Sequence, residues 1–121
     1  MRFLFASVLA LGLIGCGANT PPVTDPVVQK QIQATQILQR VEEFQDLVID
    51  LYANQGITPS HALVYTQFTT SSAKTLRVLP TGWAATIKTA WQEVKAKVPL
   101  DQMEVKLQIT AKLIDALVST L

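Results

Sequence analysis

Between residues 34 and 51, apolar side chains recur at spacings of three and four: Ala34, Ile37, Val41, Phe44, Val48 and Leu51. An α-helix completes a turn in 3.6 residues, so this spacing places all six on one stripe that packs against other helices. The pattern predicts a helix over about 27–54, stopped by Asn54-Gln55-Gly56. Thr58-Pro59 then offers an N-cap hydroxyl followed by a proline at the first helical position, where its missing N–H is not needed.

Residues 59–79 carry a weaker pattern. Thr66, Thr69, Thr70, Ser71, Ser72 and Thr75 all favour helix poorly. The stretch 63–69 taken alone also fits a short strand. No second strand is available to pair with it, and a lone strand is not viable. A helix is therefore expected, with Tyr65, Phe68, Ser72, Leu76 and Leu79 sharing a face and Pro80-Thr81-Gly82 as the break. A third helix is expected over 83–97, turning Trp83, Ile87, Ala90, Trp91, Val94 and Val98 inward, with Pro99 after it. Asp101 is expected to cap a fourth helix, with Glu104 three residues later completing a capping-box-like pair. Met103, Leu107, Thr110, Ile114, Leu117 and Leu121 form its stripe. Four helices joined by short connections favour antiparallel neighbours, so the expected fold is all-α, a small up-down four-helix bundle. The first helix exceeds its partners by roughly two turns, leaving its start to protrude or to meet another copy.

Two helices have more apolar residues than one stripe needs. Val105, Ile109, Leu113 and Ala116 form a second edge on the fourth helix, and Ile32, Leu38, Leu47 and Ile49 lie outside the seam of the first. Either the core faces are wide, or part of this surplus is a protein interface, with self-association the first candidate. Charge is also unevenly spread. Glu42, Asp46 and Asp50 stand four apart on one helical face, which costs a few tenths of a kcal/mol per pair in an isolated helix. Solvation is the first explanation, pairing with Lys74, Arg77, Lys88, Lys95 and Lys97 the second, and a partner or divalent cation the third.

Ahead of the helices, an apolar run from Phe3 follows Arg2 and ends in Leu13-Ile14-Gly15-Cys16, which holds the only cysteine. At 12 residues, 3–14, the run is too short for a spanning helix, which needs about 20, and it fits a signal-peptide core. Leu13-Ile14-Gly15-Cys16 resembles the lipobox of bacterial lipoproteins. The resemblance covers only the first 17 residues and implies a signal peptide over 1–15, diacylglycerol on the Cys16 thiol, and a mature chain anchored to a membrane by lipid. Gly17 stands where an aspartate tends to retain such proteins at the inner membrane, so in a diderm host the resemblance implies the outer membrane. Residues 16–26 then read as the lipidated cysteine and a flexible linker with three prolines after Gly17. Held extended at about 3.1 Å per residue, this tether spans about 30 Å. Residues 27–121 are left as the helical domain.

Without residues 1–15, 106 residues remain, enough for one small domain, with nine basic and nine acidic side chains. Neutrality without a basic block argues against nucleic acid, whose recognition is dominated by phosphate contacts. A disulfide within the chain is excluded by its single cysteine. Candidate chemistry is sparse. His61 is the only histidine, in the first turn of the second helix, where a solvated or core-edge role is expected, and no zinc or calcium spacing occurs. Ser71-Ser72-Ala73-Lys74 matches the S-x-x-K spacing of penicillin-recognising enzymes, but their two further motifs and larger size are missing. No catalytic residues, cofactor or metal are therefore expected. Tyr65, Phe68, Trp83 and Trp91 are core aromatics or, alternatively, the lining of a ligand site.

The leading functional expectation is a non-enzymatic envelope lipoprotein whose helical domain acts by contact with an envelope protein or with itself. A small-ligand or lipid-binding helical module is the alternative from another class. Small size and tethering alone suggest a third, an immunity or phage-exclusion lipoprotein.

Overall fold

The computed structural model describes residues 25–121, and within them the chain is an all-α four-helix bundle. The helices are α1 (Pro26–Ala53), α2 (Pro59–Val78), α3 (Trp83–Lys97) and α4 (Val105–Ser119), with a single 3₁₀ turn, Leu100–Gln102, before the last. Leu13-Ile14-Gly15-Cys16 and residues 17–24 of the expected tether lie outside the described residues. Among the described residues no helix is long and apolar enough to cross a membrane.

Each helix packs on the next, and α4 closes the ring against α1. The six-residue stripe of α1 is buried throughout, which is the outcome its spacing predicts. Around it, Phe44 meets the Tyr65 ring edge-on at 5.3 Å and 87°, and the Trp91 ring at 6.4 Å and 88°. Phe68 tilts against Trp91 at 5.1 Å. Such pairs add about 0.5–1.5 kcal/mol beyond the area they bury. Ile87, Leu107, Ala111 and Ile114 complete the centre.

The helix ends follow local chemistry, with two departures from expectation. Asp25 caps α1 by accepting from the Val27 N–H at 3.0 Å, so Pro26 begins the helix instead of ending the linker. Thr58 Oγ1 accepts from the His61 N–H at 3.2 Å, with Pro59 first in α2, as the Thr-Pro pair predicts. Three hydroxyls of α2 turn back to their own backbone, Thr66 Oγ1 donating to the Ala62 carbonyl at 2.8 Å, Thr69 to Thr66 and Ser71 to Phe68, whereas the buried Ser72 hydroxyl has no hydrogen-bond partner among the described residues. Bonding of this kind satisfies those three hydroxyls within the helix, while the packing of Tyr65, Phe68 and Leu76 in the core holds the segment helical. Gly82 precedes α3 at φ 81°, a left-handed angle that glycine adopts without steric cost.

The start of α4 corrects the expected capping box. Asp101 lies within the 3₁₀ turn, and α4 begins at Val105 with Glu104 in the N-cap position and no side-chain cap. The Glu104 carboxylate has left its own helix for α2. Nor does the start of α1 stand clear of the bundle. Gln33 Nε2 donates to Thr120 Oγ1 at 3.2 Å, and Lys30 Nζ reaches the Leu121 carbonyl at 3.5 Å, which ties the first turns of α1 to the end of α4.

Candidate functional site

Three of the four singled-out aromatics, Tyr65, Phe68 and Trp91, are buried and packed together with Phe44. Trp83 sits apart, half-buried at the start of α3, so the four do not come together around a shared space. Two polar knots grip this core, one through Glu104 at the N-cap of α4 and one through Asp115 within it. Glu104 Oε1 accepts the Tyr65 hydroxyl at 2.8 Å, and Glu104 Oε2 lies 3.0 Å from His61 Nδ1. An ionised carboxylate only accepts, so the imidazole carries a proton on Nδ1. Asp115 Oδ1 accepts from Trp91 Nε1 at 2.9 Å and from Lys95 Nζ at 2.7 Å.

Electrostatics follow from these contacts. Burial pushes the Glu104 carboxyl up, but the hydrogen bonds from Tyr65, from its own backbone N–H and from His61 outweigh it and hold the pKa below its ordinary value. Burial likewise opposes ionisation of Asp115, and the bonds from Lys95 and Trp91 and the Lys95 charge reverse that. The Tyr65 phenol is driven well above its ordinary range by burial first and by Glu104 second. A phenol so placed is a fixed donor, and the Glu104 knot is a structural clasp that puts His61 at the core edge.

Ser71 and Lys74 do not form a catalytic pair. The Ser71 hydroxyl is spent on the Phe68 carbonyl at 3.3 Å, while Lys74 is exposed. Among the described residues no group of three or more histidine, cysteine or acidic side chains could hold a metal. The acidic row of α1 is exposed: Glu42 pairs with Arg77 of α2 at 2.8 Å, Asp50 accepts only from Asn54, and Asp46 has no cation partner among the described residues.

The surplus apolar residues divide between core and surface. Leu38 and Leu47 of α1 pack against the core, whereas Ile32 and Ile49 are exposed. On α4 the whole second edge faces outward: Val105 is 81% exposed, Ile109 75% and Leu113 42%, with Ala116 exposed below them. Lys106 and Lys112 flank this ridge, exposed and without ion-pair partners among the described residues. A second apolar surface is concave. Val48, Ile49 and Tyr52 of α1 and Pro59, Ala62 and Leu63 of α2 line an open hollow of about 400 Å³. Ile49, Tyr52 and Leu63 are each more than half exposed there. Sequence spacing marks the ridge and Ile49 as surplus, but it cannot show the hollow, whose walls come from the end of α1 and the start of α2 together.

Compared with known protein families, curated proteins and solved structures, the chain matches none.

Proposed function

We propose that this chain is a lipid-tethered envelope domain that works through protein contact. The observation that carries the contact reading is the Val105, Ile109, Leu113 and Ala116 ridge, left outside a bundle whose core is already filled. Exposed apolar side chains aligned on one helix face are the kind of surface that contact sites use. The tether reading is supported by Leu13-Ile14-Gly15-Cys16 and the proline-bearing stretch after it, and Gly17 favours the outer membrane in a diderm host.

Fatty-acid labelling of the full chain in a bacterial host tests the tether. Wild type is expected to incorporate label and Cys16→Ser to accumulate as an unlabelled precursor; a labelled Cys16→Ser protein removes the reading. For the contact, Ile109→Asp is a surface change that should leave stability within about 0.5 kcal/mol of wild type while abolishing co-purification of any partner. Retained co-purification would exclude the ridge.

One observation favours a ligand-binding reading instead. The hollow between α1 and α2 has a volume within the range of about 300–1,000 Å³ typical of small-molecule sites, and apolar walls. Trp83 and Trp91 lie outside it, so Leu63→Trp supplies the reporter. A saturable fluorescence shift with envelope lipid extract would support this reading, and an unchanged spectrum would remove it.

A further inference from the structure

The end of the bundle at which α1 starts has an apolar surface of its own. Pro26, Val27 and Lys30 of α1 line an open hollow of about 340 Å³ with Leu79 from the α2–α3 connection and Trp83 from the first turn of α3. Val27 is 63% exposed there, and Val78, next to Leu79 in the chain, is 69% exposed. Trp83 is only half-buried, whereas Trp91 is sealed in the core. Tryptophan is enriched where membrane meets water, because its ring is apolar and its N–H can face the headgroups. Charge is sorted along the same axis. Residues 26–41 and 67–92 contain five basic side chains and no acidic one. Arg40 and Arg77 pair with Glu43 and Glu42, but Lys74 and Lys88 have no ion-pair partner among the described residues, and Lys30 reaches only the Leu121 carbonyl. Of the acids near this end, Asp25 caps α1 and Asp115 is committed to Lys95 and Trp91. Toward the opposite end stand Asp46, Asp50, Asp101 and Glu104, against Lys97 and Lys106.

We infer that this end is a membrane-docking surface: Val27, Val78 and Trp83 settle into the headgroup layer of an anionic phospholipid bilayer, and Lys30, Lys74 and Lys88 meet its phosphates. The inference rests on the tether reading and adds which end of the domain faces the lipid. Reach selects the bilayer as the occupant. Nine Cα steps join Cys16 to Asp25, the residue that caps α1. Even held extended they span no more than about 30 Å, so a lipid on Cys16 keeps this surface beside the membrane. The 28 residues of α1 carry its other end about 40 Å further along the helix axis. Lys74 lies four residues before Val78 and Lys88 five after Trp83, so both stand within about 8 Å of this end along their helices. That is about one Debye length at physiological salt, close enough to feel lipid phosphates. An acidic protein would meet the same lysines, but it would have to displace the bilayer that the tether holds beside them.

The test uses the full chain, produced in a bacterial host and reconstituted into phosphatidylglycerol or phosphatidylcholine vesicles with brominated acyl chains, which quench tryptophan that enters the lipid. Wild type in phosphatidylglycerol is expected to be quenched. Trp83→Phe is expected not to be, because Trp91 is 1% exposed. Lys74→Gln with Lys88→Gln should lower the docked-to-undocked ratio about thirtyfold, about fivefold per cation, so that its quenching falls to the level seen in phosphatidylcholine. The Tm of that variant should stay at the wild-type value, since neither lysine has an ion-pair partner among the described residues. Quenching that survives Trp83→Phe, that is equal in the two lipids, or that persists in the double-lysine variant overturns the inference. So does a Trp83 as well protected from aqueous iodide without vesicles as with them, which would mean that another part of the chain covers it. Fatty-acid label on the same protein scores the tether separately. Labelled protein without Trp83 quenching keeps the tether and loses the docking; unlabelled protein with that quenching keeps the docking and loses the tether.

Discussion

Gln55 has a φ of 59°, an angle at which its Cβ crowds the following carbonyl. Its N–H bonds the Tyr52 carbonyl at 3.2 Å, and the Gly56 N–H bonds the Leu51 carbonyl at 2.7 Å. These two bonds are the Schellman ending of a helix, in which glycine usually takes the left-handed place. Here glycine stands one residue later, where an added Cβ would come within 3.0 Å of Leu51 Cδ2. Gln55→Gly should relieve the strain, less the entropy glycine adds to the unfolded chain. The expected gain is about 0.5 kcal/mol, a rise of about 2–4 °C in Tm by calorimetry; a lower Tm would mean that Gln55 is not strained. At Glu104 and Asp115 the lowered carboxyl pKa values mean that the folded state favours the ionised forms. Their stabilisation is complete above the ordinary values of 4.5 and 3.8 and is lost as pH falls through the lowered ones. Glu104→Gln should cost about 1–2 kcal/mol at pH 7 and much less at pH 3, so melts at the two pH values should converge. An equal loss at both would place the effect in packing.

At the scale of the helices, the stripe of α1 was legible because an unbroken three-four spacing has only one helical meaning. The start of α2 was legible too, because Thr58 and Pro59 act locally. Thr58→Ala should therefore destabilise by about 1 kcal/mol in urea unfolding; an unchanged midpoint would show the cap to be redundant. The rest of α2 was ambiguous because propensity counts hydroxyl residues as poor helix formers and cannot see Thr66 bonding back to Ala62. Glu104 was misassigned for the opposite reason. A carboxylate near a helix start satisfies a local capping rule, while its partners, Tyr65 and His61, lie 39 and 43 residues away in the chain. Ile57 gives no signal in the sequence, since a lone apolar residue in a turn has no period, yet it is buried at the α1–α2 connection. Phe44 shows what the stripes hold together, since its ring contacts α2 and α3 at once. Phe44→Ala should cost about 3–5 kcal/mol, a large part of the total of about 5–15 expected of a domain. A loss under 1 kcal/mol would mean that the aromatic cluster is not packed as described.

For the molecule as a whole, the four-helix architecture was readable from stripes and breaks, and the surplus apolar edge of α4 was readable as surplus. What it faces was not, because a helical wheel has no neighbours. The clasping of α1 against the end of α4 through Gln33 and Lys30 was equally hidden, since polar residues in a first turn carry no periodic signal. A bundle of this kind has a weakness that its apolar stripes cannot cure: a helix moved along its axis by one turn presents nearly the same stripe to its neighbours. Glu104 and Asp115 are eleven residues apart, about three turns, so they lie along one line of α4 and engage donors on α2 and α3. They act as two pegs in a keyed joint. Sliding α4 by a turn would keep much of its greasy contact but pull both carboxylates off Tyr65, His61, Trp91 and Lys95 together, leaving one axial setting.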